Sequence, residues 1–278
     1  MKSFVEIPTF LKWAGGKRRI LPLLDRFFPK VINRYFEPFL GGGSVFFYIK
    51  AKYNPSECVI SDTNRDLVNT YLHVRDNPRE LIKRLSSFKK NHSKEFYYSV
   101  RERFNGFKYD GVERSAAFIY LNKTCFNGLY RVNSKNEFNV PFGQLKNPGI
   151  FEESIIYHAS EILKDGVKIK HQDYQKILGC VGRGDFVYLD PCYDPLKKTS
   201  FANYTPERFS EDDRVELHTF IESLRKARAR VVLSNNDISE IRKLYSKRYN
   251  INEITAPRFI GSRASYRSSL TELVISTY

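Results

Sequence analysis

The stretch DFVYLDPCYDPL places Asp190, Pro191 and Tyr193 directly after residues typical of a buried β-strand. At the end of such a strand, the Asp190 side chain and the Pro191 carbonyl would offer two neighbouring hydrogen-bond acceptors. Together they can accept both protons of an exocyclic amino group and turn its lone pair out of conjugation, while Tyr193 stacks on the ring. This arrangement suits methylation at the amino nitrogen of a nucleobase, which would have to leave the duplex stack. The alternative is a capped strand end with ordinary aromatic packing.

Three glycines in EPFLGGGS, residues 37–44, follow a second apolar run and precede a helical pattern. In a parallel sheet such a turn lets a ligand approach the helix N-terminus, and an acid such as Asp62, after the next strand, commonly binds ribose hydroxyls. The turn departs from the dinucleotide pattern GxGxxG, and Glu37 disfavours a pyrophosphate. We expect a cationic sulfonium nucleoside, although a turn that only packs helix on strand gives the same pattern.

The chain has 278 residues, with 46 Lys and Arg against 31 Asp and Glu, and its formal net charge of +15 is spread along its length. This charge favours a polyanionic partner, nucleic acid first, over a basic surface that serves solubility alone. Hydrophobic residues make up 41%, which suits a buried core rather than disorder. The four cysteines and five histidines lack metal-site spacing, so we expect no metal.

Strand patterns in five segments alternate with helical patterns, which predicts a parallel α/β sheet with a final pair of strands as an antiparallel edge. The five segments lie within 34–49, 57–64, 166–174, 185–190 and 230–237. Between about 76 and 160 the sequence becomes charged and helical and then rich in Asn, Gly and aromatics. We therefore expect a core formed by residues 1–75 and 161–278, with residues 76–160 as a mostly helical insertion.

Taken together, these motifs resemble the Dam family of DNA adenine-N6 methyltransferases across nearly the whole chain. FLKWAGGK (10–17) resembles that family's N-terminal cofactor motif, FEPFLGGGSV (36–45) its glycine motif and DPCY (190–193) its catalytic motif. HQDY (171–174) comes after the glycine motif and before DPCY, which is the order found in the family. Residues 126–148 resemble the family's DNA-reading hairpin. The resemblance implies a Rossmann-like methyltransferase domain with a mostly helical target-recognition insertion.

The cofactor that the resemblance implies is S-adenosylmethionine, with S-adenosylhomocysteine as product and no metal. Asp62 would hold the ribose, Asp173 and Tyr174 would border the cofactor's adenine, and Asp190, Pro191 and Tyr193 would hold the target adenine. The remaining pocket residues that it implies are Trp13, Ala14, Gly15, Lys17, Glu37, Phe39 and Gly41.

The DNA contacts that the resemblance implies are made to a GATC site in double-stranded DNA. Lys12 would contact a guanine, and Phe126 with Asn127 would fill the space left by the extruded base. Leu129, Arg131 and Pro141 would read the remaining bases, with Arg131 donating to O6 and N7 of a guanine. Leu145 replaces an aromatic residue of close relatives.

Cys192 replaces the second proline of the family's DPPY. Neither key acceptor belongs to residue 192, so we expect activity to survive this change. The segment RFIGSRASYRSS, residues 258–269, suits either a phosphate-binding loop or a solvated hairpin.

Two other functions use the same features. The first is N4-cytosine methylation, which Asp190 disfavours because that class tends to carry Ser there; the second is a DNA-binding regulator that lost catalysis through Cys192. No apolar run approaches membrane-spanning length, and Glu6 and Pro8 interrupt any signal-peptide core. We expect a cytoplasmic prokaryotic or phage protein, monomeric, without a membrane partner, acting alone or beside a cognate restriction endonuclease.

Overall fold

The computed structural model describes residues 6–145, 147–191, 210–256 and 270–278. Tyr193, Cys192 and the arginine-rich segment 258–269 lie outside these residues.

A seven-stranded sheet in the order β3-β2-β1-β4-β5-β7-β6 forms the centre of the protein. Strands β1 to β5 run parallel, and β7 runs antiparallel to both of its neighbours, β5 and β6. The strands are β1 (Arg34–Glu37), β2 (Glu57–Asp62), β3 (Val167–His171), β4 (Phe186–Leu189), β5 (Arg230–Asn236), β6 (Asn250–Ala256) and β7 (Leu270–Ser276). The predicted Rossmann-like α/β fold is confirmed. The final antiparallel pair also forms as expected, with β7 inside the sheet and β6 at its edge.

The α-helices of the described residues cover both faces of this sheet and form most of the segment between β2 and β3. They are α1 (Leu21–Leu24), α2 (Ser44–Tyr53), α3 (Arg65–Asp76), α4 (Pro78–Lys90), α5 (Lys94–Asn105), α6 (Gly111–Thr124), α7 (Glu153–Lys164), α8 (Glu211–Lys226) and α9 (Ser239–Tyr245). None of them is long and apolar enough to cross a membrane.

Alternation along the strands produces two apolar cores, one on each face of the sheet. In β1, Tyr35 belongs to the core that continues into the helices of residues 78–124, whereas Phe36 faces the core beneath α8 and α9. In β4, Tyr188 and Val187 divide in the same way. Because successive side chains of a strand point to opposite faces, one sheet organises both layers.

Arg114 of α6 joins the helices between β2 and β3 to one another. Its guanidinium donates to both carboxylate oxygens of Asp66 in α3, at 2.6 and 2.8 Å, and to the Phe104 carbonyl of α5, at 2.9 Å. It also lies 4.1 Å from the centre of the Phe104 ring. One side chain therefore connects three helices. The division at residues 76 and 160 stays a proposal, and residue 160 lies within α7.

Replacing Arg114 with Met should lower the free energy of unfolding by about 2–3 kcal/mol, because the partly buried Asp66 carboxylate loses its bidentate partner. The matched control is Arg84→Met. The Arg84 pair with Glu80 is largely exposed, at 48% and 40% of each side chain, and should contribute less than about 1 kcal/mol. Urea unfolding measures both variants, and equal losses would contradict the anchoring role of Arg114.

Candidate active site

Acidic side chains gather at the edge where the parallel strands end. Glu37 is the last residue of β1, Asp62 the last of β2, and Asp190 follows β4 by one residue. Glu272 joins them from the start of β7, where it pairs with Asn236 at the end of β5. Because β7 is antiparallel, its first residues reach the same edge as the ends of its parallel neighbours.

The glycine turn at this edge is held in a shape that side chains would prevent. Gly41 and Gly43 have left-handed φ values of 48° and 66°. A Cβ on Gly41 would come within 2.7 Å of the Trp13 ring, and one on Gly43 within 2.5 Å of the Tyr71 hydroxyl. The Gly41 N–H donates to Asp62 at 3.0 Å, so the acid after β2 fixes the turn after β1.

Trp13 covers the glycine turn and joins it to the hairpin that follows α6. Its ring stacks on Tyr130 with centroids 5.5 Å apart and planes inclined by 19°. Tyr130 lies between Leu129 and Arg131, two of the predicted DNA-reading residues. Trp13, a predicted cofactor-binding residue, is therefore in direct contact with the predicted DNA-reading hairpin.

Glu37 is a fully buried acid, 2% exposed, and its carboxylate accepts a hydrogen bond from the Tyr35 hydroxyl. Burial raises the pKa of Glu37 well above its ordinary range; the Tyr35 hydrogen bond opposes the rise, and the charges of Asp190 and Asp62 add to it. Burial also raises the pKa of Asp62, against the hydrogen bonds from the N–H groups of Asn64 and Gly41. Both acids are therefore costly to ionise, and a nearby cation would stabilise their charged forms.

The ammonium of Lys17 connects this edge to the N-terminal segment. Its Nζ lies 2.8 Å from Asp190 Oδ1 and 2.9 Å from Glu272 Oε1, and it donates to the Gly15 carbonyl at 3.0 Å. Burial alone would lower the pKa of Lys17, but the charges of the two acids and their hydrogen bonds raise it above its ordinary value. A single buried cation, 4% exposed, therefore holds two carboxylates in place.

The resemblance implied Lys17 in the cofactor pocket and Asp190 beside the target adenine, and the structure brings the two side chains into contact. The contact partners Glu272, Tyr35 and Tyr130 were not among the predicted residues. The TELVIS stretch around Glu272 reads only as a strand, because its place beside β5 depends on long-range pairing. A charged residue early in a final strand whose other side chains are uncharged is the signal that could have drawn attention to it.

The remaining predicted pocket residues lie on neighbouring loops. The rings of Phe39 and Tyr174 stack with centroids 5.2 Å apart, and Asp173 accepts a hydrogen bond from the Gln175 N–H at 2.9 Å. The Gln172 N–H donates to the Asp62 carbonyl, which keeps the loop after β3 beside the end of β2. Ala14 and Gly15 are exposed and belong to the segment that carries Trp13.

Most of the predicted DNA-contacting residues lie in the hairpin that follows α6. Phe126 is 50% exposed, and Asn127 after it has a left-handed φ of 56°. The Phe126 N–H donates to the Pro141 carbonyl at 2.8 Å, which closes the hairpin. The Arg131 guanidinium is fixed by Asn139, with Nε donating to the amide oxygen at 2.7 Å. Leu129 is partly buried in the same hairpin and packs against the core, whereas Leu145 is exposed.

Lys12 lies against this hairpin and close to a second lysine. A Cβ on Gly128 would come within 2.4 Å of the Lys12 side chain, and the Asn122 amide is hydrogen-bonded to both the N–H and the carbonyl of Lys12 at 2.8 Å. Burial first, and then the charge of Lys12, lower the pKa of Lys123 to about 8, although Glu152 opposes the shift. Two cations are thus held together at the base of the hairpin.

The described residues hold no group of three or more His, Cys, Asp or Glu side chains that could bind a metal ion.

Gly41→Ala should displace Trp13, because the added methyl group would overlap its ring. Trp13 is the single tryptophan of the chain, so its fluorescence reports this site alone. We expect the emission maximum to move to longer wavelength as the ring leaves Tyr130. Gly179→Ala is the control, since a Cβ there meets nothing within 4 Å, and an unshifted spectrum for Gly41→Ala would contradict the described packing.

Known proteins resemble this chain over almost its whole length. A type II methyltransferase of Lactococcus lactis subsp. cremoris, M1.LlaDCHI, is 40% identical over 100% of this chain and 98% of its own. M.MjaIII, a type II methyltransferase of Methanocaldococcus jannaschii, is 43% identical over 99% and 100%. A DNA adenine methylase of Vibrio cholerae is 33% identical over 96% and 94%.

The family model of the D12 class N6 adenine-specific DNA methyltransferases matches residues 13–260. The match spans the glycine turn, the inserted helices and Asp190. Together with the relatives it confirms the family that the sequence motifs predicted. The chain belongs to the D12 class of S-adenosylmethionine-dependent, N6 adenine-specific DNA methyltransferases.

Proposed function

We propose that this enzyme methylates N6 of an adenine extruded from double-stranded DNA, within the sequence GATC. The observation that carries the proposal is the path of residues 12–17. Lys12 lies against Gly128 of the hairpin, Trp13 covers Gly41, and Lys17 pairs with Asp190. One short segment thus contacts the three parts that the reaction requires: a DNA reader, a cofactor turn and an amine acceptor.

The described residues fit S-adenosylmethionine as the cofactor. The turn at Gly41 suits close approach of a ligand to the backbone, and the two buried acids Glu37 and Asp62 favour a bound cation. Asp62 lies where an acid binds ribose hydroxyls, and Asp173 with Tyr174 lies on the adjoining loop. Trp13, Ala14, Gly15, Lys17 and Phe39 complete the proposed pocket. When bound, this cofactor supplies the electrophilic methyl group.

The protein's own part in the proposed reaction is to orient the target amino group. The Asp190 carboxylate and the Pro191 carbonyl accept its two N–H groups, which directs the nitrogen lone pair toward the methyl donor. Tyr193, outside the described residues, is proposed to stack on the extruded base. Asp190 or water takes the proton released after transfer.

Recognition of GATC is proposed to depend on the hairpin. Asn139 holds the Arg131 guanidinium in one orientation, which suits bidentate donation to O6 and N7 of a guanine. Phe126 is exposed and able to fill the space of the extruded base together with Asn127. Lys12, Leu129 and Pro141 would contact the remaining bases.

The cellular setting is proposed from the relatives. Two of them are named type II methyltransferases, which supports a role beside a cognate restriction endonuclease. We propose a monomer that acts on chromosomal or phage DNA in the cytoplasm.

Methyl-labelled S-adenosylmethionine and plasmid DNA, followed by base-resolved mapping of the label, test the proposal directly. We expect N6-methyladenine in GATC. Label at N6 in another sequence would overturn the recognition site, label at N4 of cytosine would overturn the target base, and no label would make a DNA-binding regulator the better account.

Asp190→Asn should lower the rate of methyl transfer at least about 100-fold, because an amide N–H would replace an acceptor for the target amine. Binding of S-adenosylmethionine should remain largely intact. The control is Asp185→Asn, at the opposite end of β4, where Asp185 pairs with Arg34 at 2.9 Å. Labelling reactions quenched at successive times measure the rate of methyl transfer in both variants. Substantial transfer by Asp190→Asn would disprove the assigned role of Asp190.

DNA affinity should fall as pH rises from 7 to 9. Lys123, whose pKa is lowered to about 8, is charged below this pH and loses its attraction for phosphate above it. At pH 7, Lys123→Met should make the slope of log DNA affinity against log salt concentration shallower by the amount of about one phosphate contact. The same variant should show a weaker decrease of DNA affinity between pH 7 and 9. Fluorescence anisotropy at several salt concentrations measures this, with the remote, exposed Lys226→Met as control. An unchanged pH slope in Lys123→Met would disprove the role of Lys123.

A further inference from the structure

Glu272 enters the site from a strand that none of the catalytic motifs includes. It is buried, and its carboxylate lies 2.9 Å from Lys17 Nζ, on the ammonium that also contacts Asp190. We infer that Glu272 is a positioning residue for methyl transfer, which holds the Asp190 carboxylate in its accepting orientation through Lys17. This inference rests on the proposed function.

The location of Glu272 suits an anchor. It lies near the start of β7, where it pairs with Asn236 of β5 on one side and with Ile254 of β6 on the other. Hydrogen bonding to two neighbours fixes the backbone of an interior strand more firmly than that of a loop. Asp190, by contrast, lies beyond the end of β4.

Lys17 transmits this fixed position to Asp190. Its ammonium is surrounded by Asp190 Oδ1, Glu272 Oε1 and the Gly15 carbonyl, which match the three N–H groups of a lysine. The Lys17 backbone is held as well, since its N–H donates to the Ser44 hydroxyl at 3.2 Å. The contact of Lys17 with Oδ1 restricts the rotation of the Asp190 carboxylate and, with it, the direction of the second oxygen.

Removing the anchor should disturb the rate more than the binding. Without the Glu272 charge, the buried ammonium would keep only Asp190 as a counter-ion, and its position beside Oδ1 would no longer be held from the other side. The Asp190 carboxylate would then be free to turn together with the ammonium, away from the amine. Displacements on the order of 1 Å at reacting groups can cost about 100-fold in rate.

The test compares Glu272→Gln with the parent chain in single-turnover methyl transfer to plasmid DNA, at saturating S-adenosylmethionine. The glutamine keeps the size of the side chain and removes its charge. We expect the rate constant to fall about 10- to 100-fold, while the dissociation constants of S-adenosylhomocysteine and of DNA change less than about threefold.

A double-variant cycle separates positioning from simple stabilisation. If Glu272 acts through Lys17, then adding Glu272→Gln to Lys17→Met should lower the rate no further. Glu222→Gln is the matched control: Glu222 on α8 is also a well-covered carboxylate, paired with Arg225 at 3.0 Å, and it belongs to no part of the site. Its rate constant should equal that of the parent.

The outcomes separate the proposed function from the positioning role of Glu272. No transfer by the parent chain would overturn the proposed function itself. An active parent with an equally active Glu272→Gln would overturn the positioning role alone, and so would an additive loss in the Lys17→Met background. If Glu272→Gln does not fold, Glu272→Asp keeps the charge but draws it back by one methylene; an unchanged rate in that variant would also overturn the role.

Discussion

The buried ammonium of Lys17 is the interaction on which the arrangement of the site depends. A desolvated cation is tolerated only beside counter-charges, and here Asp190 and Glu272 supply them. Their positions at the carboxyl edge of the sheet determine where the N-terminal segment must pass. Once Lys17 is fixed, Trp13 is brought over the glycine turn and Lys12 against the hairpin. The order of Lys12, Trp13 and Lys17 along the chain thus matches the order in which the hairpin, the glycine turn and Asp190 are contacted.

A second constraint is the concentration of acids at one edge. Glu37 is buried beside Tyr35, and burial raises the pKa of its carboxyl, so ionising it is costly. A cation beside Glu37 stabilises the charged form and lowers that pKa, which couples the binding of a cationic ligand to pH. A neutral ligand does not lower the pKa of Glu37 in this way. The acidic edge therefore favours a cation over a neutral group, which is the difference between a sulfonium and a thioether.

Local patterns were sufficient for the sheet and for several of the polar residues that gather at its carboxyl edge. The ends of β1, β2 and β4 could be located because each apolar run stops at a polar turn, and the glycines after Glu37 define a shape that few other residues permit. The partners of these residues could not be found in this way. Glu272 reaches Lys17 only through the antiparallel register of β7, and Tyr130 reaches Trp13 only through the folding of the whole hairpin. Both contacts join residues more than 100 positions apart, and no local spacing encodes them.

The connection between the sheet and the inserted helices begins in the same few residues that end β2. Asp62 accepts hydrogen bonds from Gly41 and Asn64, the Asn64 side chain caps α3 by accepting from the Leu67 N–H, and Asp66 in the first turn of α3 binds Arg114 of α6. The glycine turn and the helix that leads into the hairpin are thereby linked through a short, well-bonded path. Trp13 links the same two parts a second time, through its stacking on Tyr130. Because two independent connections reach the hairpin, they restrict its orientation relative to the glycine turn, and with it the separation between the proposed cofactor turn and the proposed DNA-reading residues.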